Sequence, residues 1–111
     1  MTLNPSIIDY NLGRLEQGSL DLPPYSESFN CASFVRLIAD IPKSDTALSL
    51  QLADCVERPI QYARRGDIVF NNNFSHCGIC LGYPYVAHYT KEGLQVESYI
   101  KCFSLGYAYG N

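Results

Sequence analysis

The chain has 111 residues, 47% of them apolar and 17% charged, with a formal net charge of -3 at pH 7. That length suits one domain with one core and is too short for two. The few charges argue against a disordered or coiled-coil chain, and the acidic balance leaves no footprint for nucleic acid.

The opening stretch MTLNPSIIDYNLGRLEQGSL has neither a basic start nor a continuous apolar segment, so no secretory signal is expected. No apolar run approaches ~18 residues, and no cluster of Lys and Arg suggests an anionic membrane, so no membrane insertion is expected. Such a protein stays in the cytoplasm or leaves by a route other than a signal peptide. Asn4-Pro5 predicts a helix start, with Asn4 as cap and Pro5 in the first turn. Ile7, Ile8, Leu12 and Leu15 fall near helical spacing, and Gly18 stops the helix. A loop from Ser19 to Asn30 follows, stiffened by Pro23-Pro24.

Cys31 to Ile41 reads as a buried helix carrying Phe34, Val35, Leu37, Ile38 and Ile41, ended by Pro42. Ser44 or Asp45 can cap another helix with Leu48, Leu52, Cys55 and Val56 on one face. After Gly66 the pattern turns strand-like: Asp67 to Phe70, the polar turn Asn71-Asn72-Asn73, His76 to Leu81, a turn at Gly82 to Pro84, Tyr85 to Thr90, and Leu94 to Tyr99. Phe103 to Tyr109 adds a last edge strand. Helices first and an antiparallel meander second means α+β, in a single domain covering residues 1–111.

Cys31 stands where a loop enters a helix. First-turn amides point at that position and favour thiolate over thiol. A cysteine so placed is by default a core residue, and a nucleophile needs an imidazole within reach. The chain has only two histidines, His76 and His88, each on an expected strand of the meander. A tight turn between those strands can set them side by side, one as base and the other as its orienter. Either alone reads as a partly buried sheet residue.

There are five cysteines, an odd number in a chain without a signal, which argues against a disulfide framework. Cys77-Gly-Ile-Cys80 is a C-x-x-C that, with Cys31 and the histidines, has ligand types for zinc or an iron–sulfur cluster. Residues three apart on a straight strand face opposite ways, so the reading is two buried core thiols, no metal and no cofactor. Most of the nine tyrosines read as sheet formers.

The order Pro24-Tyr25, NCASFV from Asn30, RRGDIVF from Arg64, SHCGICLG from Ser75 and YVAHYT from Tyr85 resembles the NlpC family of papain-like cysteine peptidases. These cleave bacterial cell-wall peptides. The resemblance implies a papain-like fold, with N-terminal helices packed on a C-terminal antiparallel meander. It implies Cys31 as nucleophile, His76 as general base and His88 as the orienting third residue. It also implies substrate contacts from Tyr25, Asn30 and Ser33. Asp67 matches the structural Gly-Asp turn and is not counted as catalytic. Asn30 departs from the family's aspartate, and Ala32-Ser33 from its Ser-Gly, which puts recognition of a free amine in doubt.

The expected function is hydrolysis of a peptide bond, D-glutamyl in the family, in a peptidoglycan stem peptide. Compact members without a signal often belong to bacteriophage tails or prophages. The virion tail or the cytoplasm of the producing bacterium is then the location, and other tail-tip proteins are the partners. A catalytically weak structural component of a tail tip is the alternative. An acyltransferase of the lecithin–retinol type is disfavoured because Cys31 precedes the histidines; a wall-lytic cysteine–histidine amidohydrolase shares the order seen here.

Overall fold

In the computed structural model, which describes residues 2–111, Asn4 caps α1 (Pro5–Glu16) as expected, accepting from the N–H groups of Ser6 and Ile7. Ile8, Leu12 and Leu15 are its buried face. α2 (Cys31–Ala39) ends at Asp40, which adopts the left-handed conformation two residues before Pro42. The next helix is shorter than its apolar spacing predicts. α3 covers only Leu48–Gln51, and Ser44 spends its hydroxyl on the Thr46 N–H. Val56 is no helix residue: it opens β1 (Val56–Pro59). Pairing with the C-terminal strand overrides helical spacing there, as suits a β-branched residue and a proline.

The remaining elements are β2 (Ile68–Phe70), β3 (Cys77–Gly82), β4 (Tyr85–Thr90), β5 (Gly93–Ser98), α4 (Tyr99–Cys102) and β6 (Tyr107–Gly110), with a 3-10 turn at Ile60–Tyr62. The fold is α+β, with one six-stranded sheet in the order β1-β6-β2-β3-β4-β5. Every pair is antiparallel. The meander from β2 to β5 matches expectation. β6 does not lie at the edge; it runs between β1 and β2. Ala108 and Tyr109 are both buried, on opposite sheet faces, as an interior strand requires. The Arg58 guanidinium ties the region together, reaching the buried Asp67 carboxylate at 3.2 Å and the Asn111 carbonyl at 2.7 Å. Asp67 also accepts from the Arg64 N–H, so its role is structural, as read.

The two sheet faces carry different cores. α1 and α2 cover one, where Ile68, Phe70, Cys77, Ile79, Ala87 and Tyr89 meet Leu12, Phe34, Val35 and Ile38. Val69, Cys80, Val86 and Ala108 form the other with Ile60, Ala63 and Phe103. Cys77 and Cys80 are therefore buried thiols on opposite faces, and no single ion can take both. Tyr89 stitches the 19–30 loop to the sheet. Its ring lies 5.7 Å from Phe34 and 5.4 Å from Phe29, and its hydroxyl donates to the Pro23 carbonyl. Among the described residues no helix is long and apolar enough to cross a membrane.

Candidate active site

Cys31 is the first residue of α2, and its position is set by a reciprocal cap. Asn30 Oδ1 accepts from the N–H groups of Ala32 and Ser33, while Ser33 Oγ accepts from the Asn30 N–H. Such a cap contributes about 1 kcal/mol. Both Asn30 and Ser33 are thus committed to holding the helix start. The half-buried Cys31 thiol then sits in the positive field of the first turn.

His76 enters β3 from the Asn-rich turn. Asn71 Oδ1 accepts the His76 N–H at 3.1 Å, and the Asn71 N–H returns a bond to the His76 carbonyl at 3.2 Å. Asn73 and Ser75 brace the turn through a 2.7 Å bond between side chains. The polar triplet that looked like a generic turn is therefore the mount for the imidazole.

The sheet register does the rest. Ile79 pairs with Ala87, so Gly78 lies across from His88, and His76 and His88 are diagonal neighbours. His88 pairs with Gln95 and Val86 with Glu97, so Glu97 is diagonal to His88 in turn. His76 Nε2 lies 2.7 Å from His88 Nδ1, and His88 Nε2 lies 2.9 Å from Glu97 Oε2. Lys101 Nζ holds Glu97 Oε1 at 2.8 Å. Phe103 floors the row, stacked under His76 at 5.4 Å and edge-on to His88 at 5.5 Å. A side chain at Gly78 would put its Cβ 2.7 Å from the Ala87 carbonyl and 3.1 Å from His88 Cβ. Glycine is what lets His88 lie close to β3.

Charge follows geometry. The Cys31 thiol is lowered to about 4, by a hydrogen bond from the Cys77 thiol first, against burial, and by hydrogen bonds from His76 and the Cys77 backbone N–H. Cys77 is pushed well up by its bond to Cys31 and by burial, so it stays a thiol and a donor. His88 is lowered by burial, which outweighs the Glu97 carboxylate beside it. Glu97 is lowered to about 2 by Lys101 first and His88 second. These states give the row one direction. Neutral His88 donates from Nε2 to the Glu97 carboxylate and accepts at Nδ1 from His76 Nε2–H. His76 then has its Nδ1 side for the Cys31 sulfur.

The structure thus brings together the three residues that the sequence reading placed in one triad, Cys31, His76 and His88. Two neighbours were missed. Glu97 extends the row, and its signal was the short turn after His88 with a carboxylate on the next strand. Cys77 was read as a core thiol; it is buried, yet it also touches Cys31. Its signal was alternation, since the residue after His76 must face the helices. Tyr25 packs its ring 6.2 Å from Tyr89 on the α2 side of the sheet. A cavity of about 490 Å³ lies elsewhere, between α1, Arg64 to Asp67 and the C-terminal residues, and none of the row lines it. Comparison of the chain with protein-family models and with curated proteins finds no match.

Proposed function

We propose that this protein is a cysteine hydrolase of papain-like, NlpC-type fold that cleaves a peptide bond in peptidoglycan stem peptides. The single observation that carries the reading is the continuous row from the α2 N-terminus through His76 and His88 to Glu97. A thiolate held by an imidazole whose far nitrogen is fixed is the arrangement acyl transfer needs. The Cys31 sulfur attacks the carbonyl carbon, and the Cys31 N–H at the helix start donates to the oxyanion. His76 gives its Nδ1 proton to the departing amine, leaving a thioester. It then takes a proton from water, which attacks the thioester and releases the acid. His88 and Glu97 hold the imidazole in the tautomer that both steps use.

The D-glutamyl bond, the bacteriophage or prophage tail setting and tail-tip partners rest on the resemblance of the motifs. Tyr25, Asn30 and Ser33 are the proposed substrate neighbours. The test is digestion of purified peptidoglycan stem peptides, with Cys31→Ala as control. New amino ends appearing with the wild type alone support the reading. A second reading, a structural tail component, is favoured by the placement of the large cavity away from Cys31. It predicts a reactive Cys31 with no cleavage of any stem peptide.

A further inference from the structure

Cys102 has no part in the row described above, yet its thiol donates to Glu97 Oε2 at 3.4 Å, the same oxygen that His88 Nε2 holds. One ligand atom from each of His88, Glu97 and Cys102 lies within 4.8 Å of the other two. They come from three elements, β4, β5 and α4, and each offers a different donor. A tetrahedral zinc with bonds of ~2.0–2.3 Å sets its ligands ~3.3–3.8 Å apart. The two separations, 2.9 and 3.4 Å, bracket the short end of that range, and the first widens once the proton between its atoms leaves.

We propose that His88, Glu97 and Cys102 form a zinc site that switches off the Cys31 centre. Nitrogen, carboxylate and thiolate are the donors of a zinc site with an open fourth position. Lys101 holds the other carboxylate oxygen, which aims Oε2 at the metal. Glu97 is 19% exposed, so its carboxylate is in reach of solvent. Among the described residues this is the one group of three or more such side chains with converging ligand atoms.

Occupation reverses the row. Metal on His88 Nε2 leaves that ring's proton on Nδ1, which then donates to His76 Nε2. His76 Nε2 becomes an acceptor, and the single proton left on His76 sits at Nδ1. The thiol proton of Cys102 leaves to solvent. The inhibitory consequence rests on the hydrolase reading; binding of the metal does not.

The obvious rival is zinc held by Cys31 and His76, so the test separates the two. Zinc is titrated by calorimetry, and cobalt(II) is followed by its thiolate charge-transfer band, in wild type, Cys31→Ser and Cys102→Ser. The expected result is one equivalent bound by wild type and Cys31→Ser with similar affinity. Cys102→Ser should lose the charge-transfer band and weaken zinc by more than the ~10–100-fold of an outer-shell change. Saturating zinc should also shift the midpoint of the pH profile of Cys31 alkylation upward in wild type. Binding that survives in Cys102→Ser, or that vanishes in Cys31→Ser, overturns the proposal, as does no binding at all. Binding to Cys31→Ser with an inert Cys31 in metal-free wild type keeps the site and sinks the hydrolase reading.

Discussion

Replacing Cys77 by alanine tests the chemistry of Cys31 most directly. The Cys77 thiol is a principal donor to the Cys31 sulfur, and its loss removes one hydrogen bond to a charged acceptor. Such bonds contribute about 1.5–3 kcal/mol, and a thiol is a weak donor, so the low end applies. At 1.36 kcal/mol per unit that is about one unit, moving the Cys31 midpoint from about 4 to ~5. His76→Ala removes another hydrogen bond to the sulfur and should also raise the midpoint. The rate of alkylation at neutral pH cannot reveal this. A thiol with an ordinary midpoint near 9 is only about 1% ionised at pH 7, but it is intrinsically more nucleophilic. With a Brønsted slope of ~0.4–0.5, a fall of about five units costs ~100–300-fold in nucleophilicity, which cancels the gain in thiolate. The midpoint must be read from a full pH profile of iodoacetamide labelling, assigned to Cys31 by peptide mapping and checked by thiolate absorbance against Cys31→Ser. A wild-type midpoint near 9, or a Cys77→Ala midpoint identical to wild type, refutes the reasoning.

Gly78→Ala should loosen the row without substituting any of its members. The new Cβ meets backbone and Val86 at under 3 Å, so β3 and β4 must part, at about 1–3 kcal/mol. The expected readout is a melting temperature lower by ~4–8 °C per kcal/mol, together with a raised Cys31 midpoint; an unchanged midpoint would show that His88 does not act through His76. Asn30→Ala should cost about 1 kcal/mol through the lost cap, read by thermal melting, while Asn30→Asp should keep the cap. Acidification should destabilise the fold through Cys31, whose contribution is lost progressively from its ordinary value near 9 down to about 4, and through two further groups. His88 is lowered in the folded chain, so the unfolded chain binds more protons below its ordinary value near 6.5, and stability falls as pH drops through that window. Glu97 acts lower, its contribution present above the ordinary 4.5 and lost as pH falls toward about 2. Melting temperatures from pH 7 to 5 should therefore fall for wild type and fall less for His88→Asn; equal slopes would contradict the burial of a neutral His88.

The meander was legible because its strands alternate and its turns carry Gly, Pro and Asn at the right offsets. β1 was not, since Val56-Glu-Arg-Pro is too short to show a period, and its strand character comes from β6 across the gap. β6 itself was found, but its place was missed. Nothing in Tyr107 to Gly110 says that two strands flank it. What ties it there includes the Arg58 guanidinium, which bonds both Asp67 before β2 and Asn111 after β6. Asn30 and Ser33 carry a similar lesson. Motif resemblance points them at substrate, while local physics spends both on the capping box, and the two roles compete for the same oxygens.

Glu97 marks where reading the residues stops and register begins. The turn from Thr90 to Gly93 is tight enough to pair those two residues directly, and every later pairing on β4 and β5 follows from it. A one-residue slip there would put Val96 opposite Val86, where Glu97 now stands, and turn the carboxylate to the other face. His88 Nε2 would then be a buried donor without a carboxylate, at a cost of about 1–3 kcal/mol. The hydrogen bond between His88 and Glu97 therefore selects the register as much as the register creates the bond. The same residues that orient the imidazole also help specify the sheet. Substitutions at His88 or Glu97 should consequently lower stability and raise the Cys31 midpoint together.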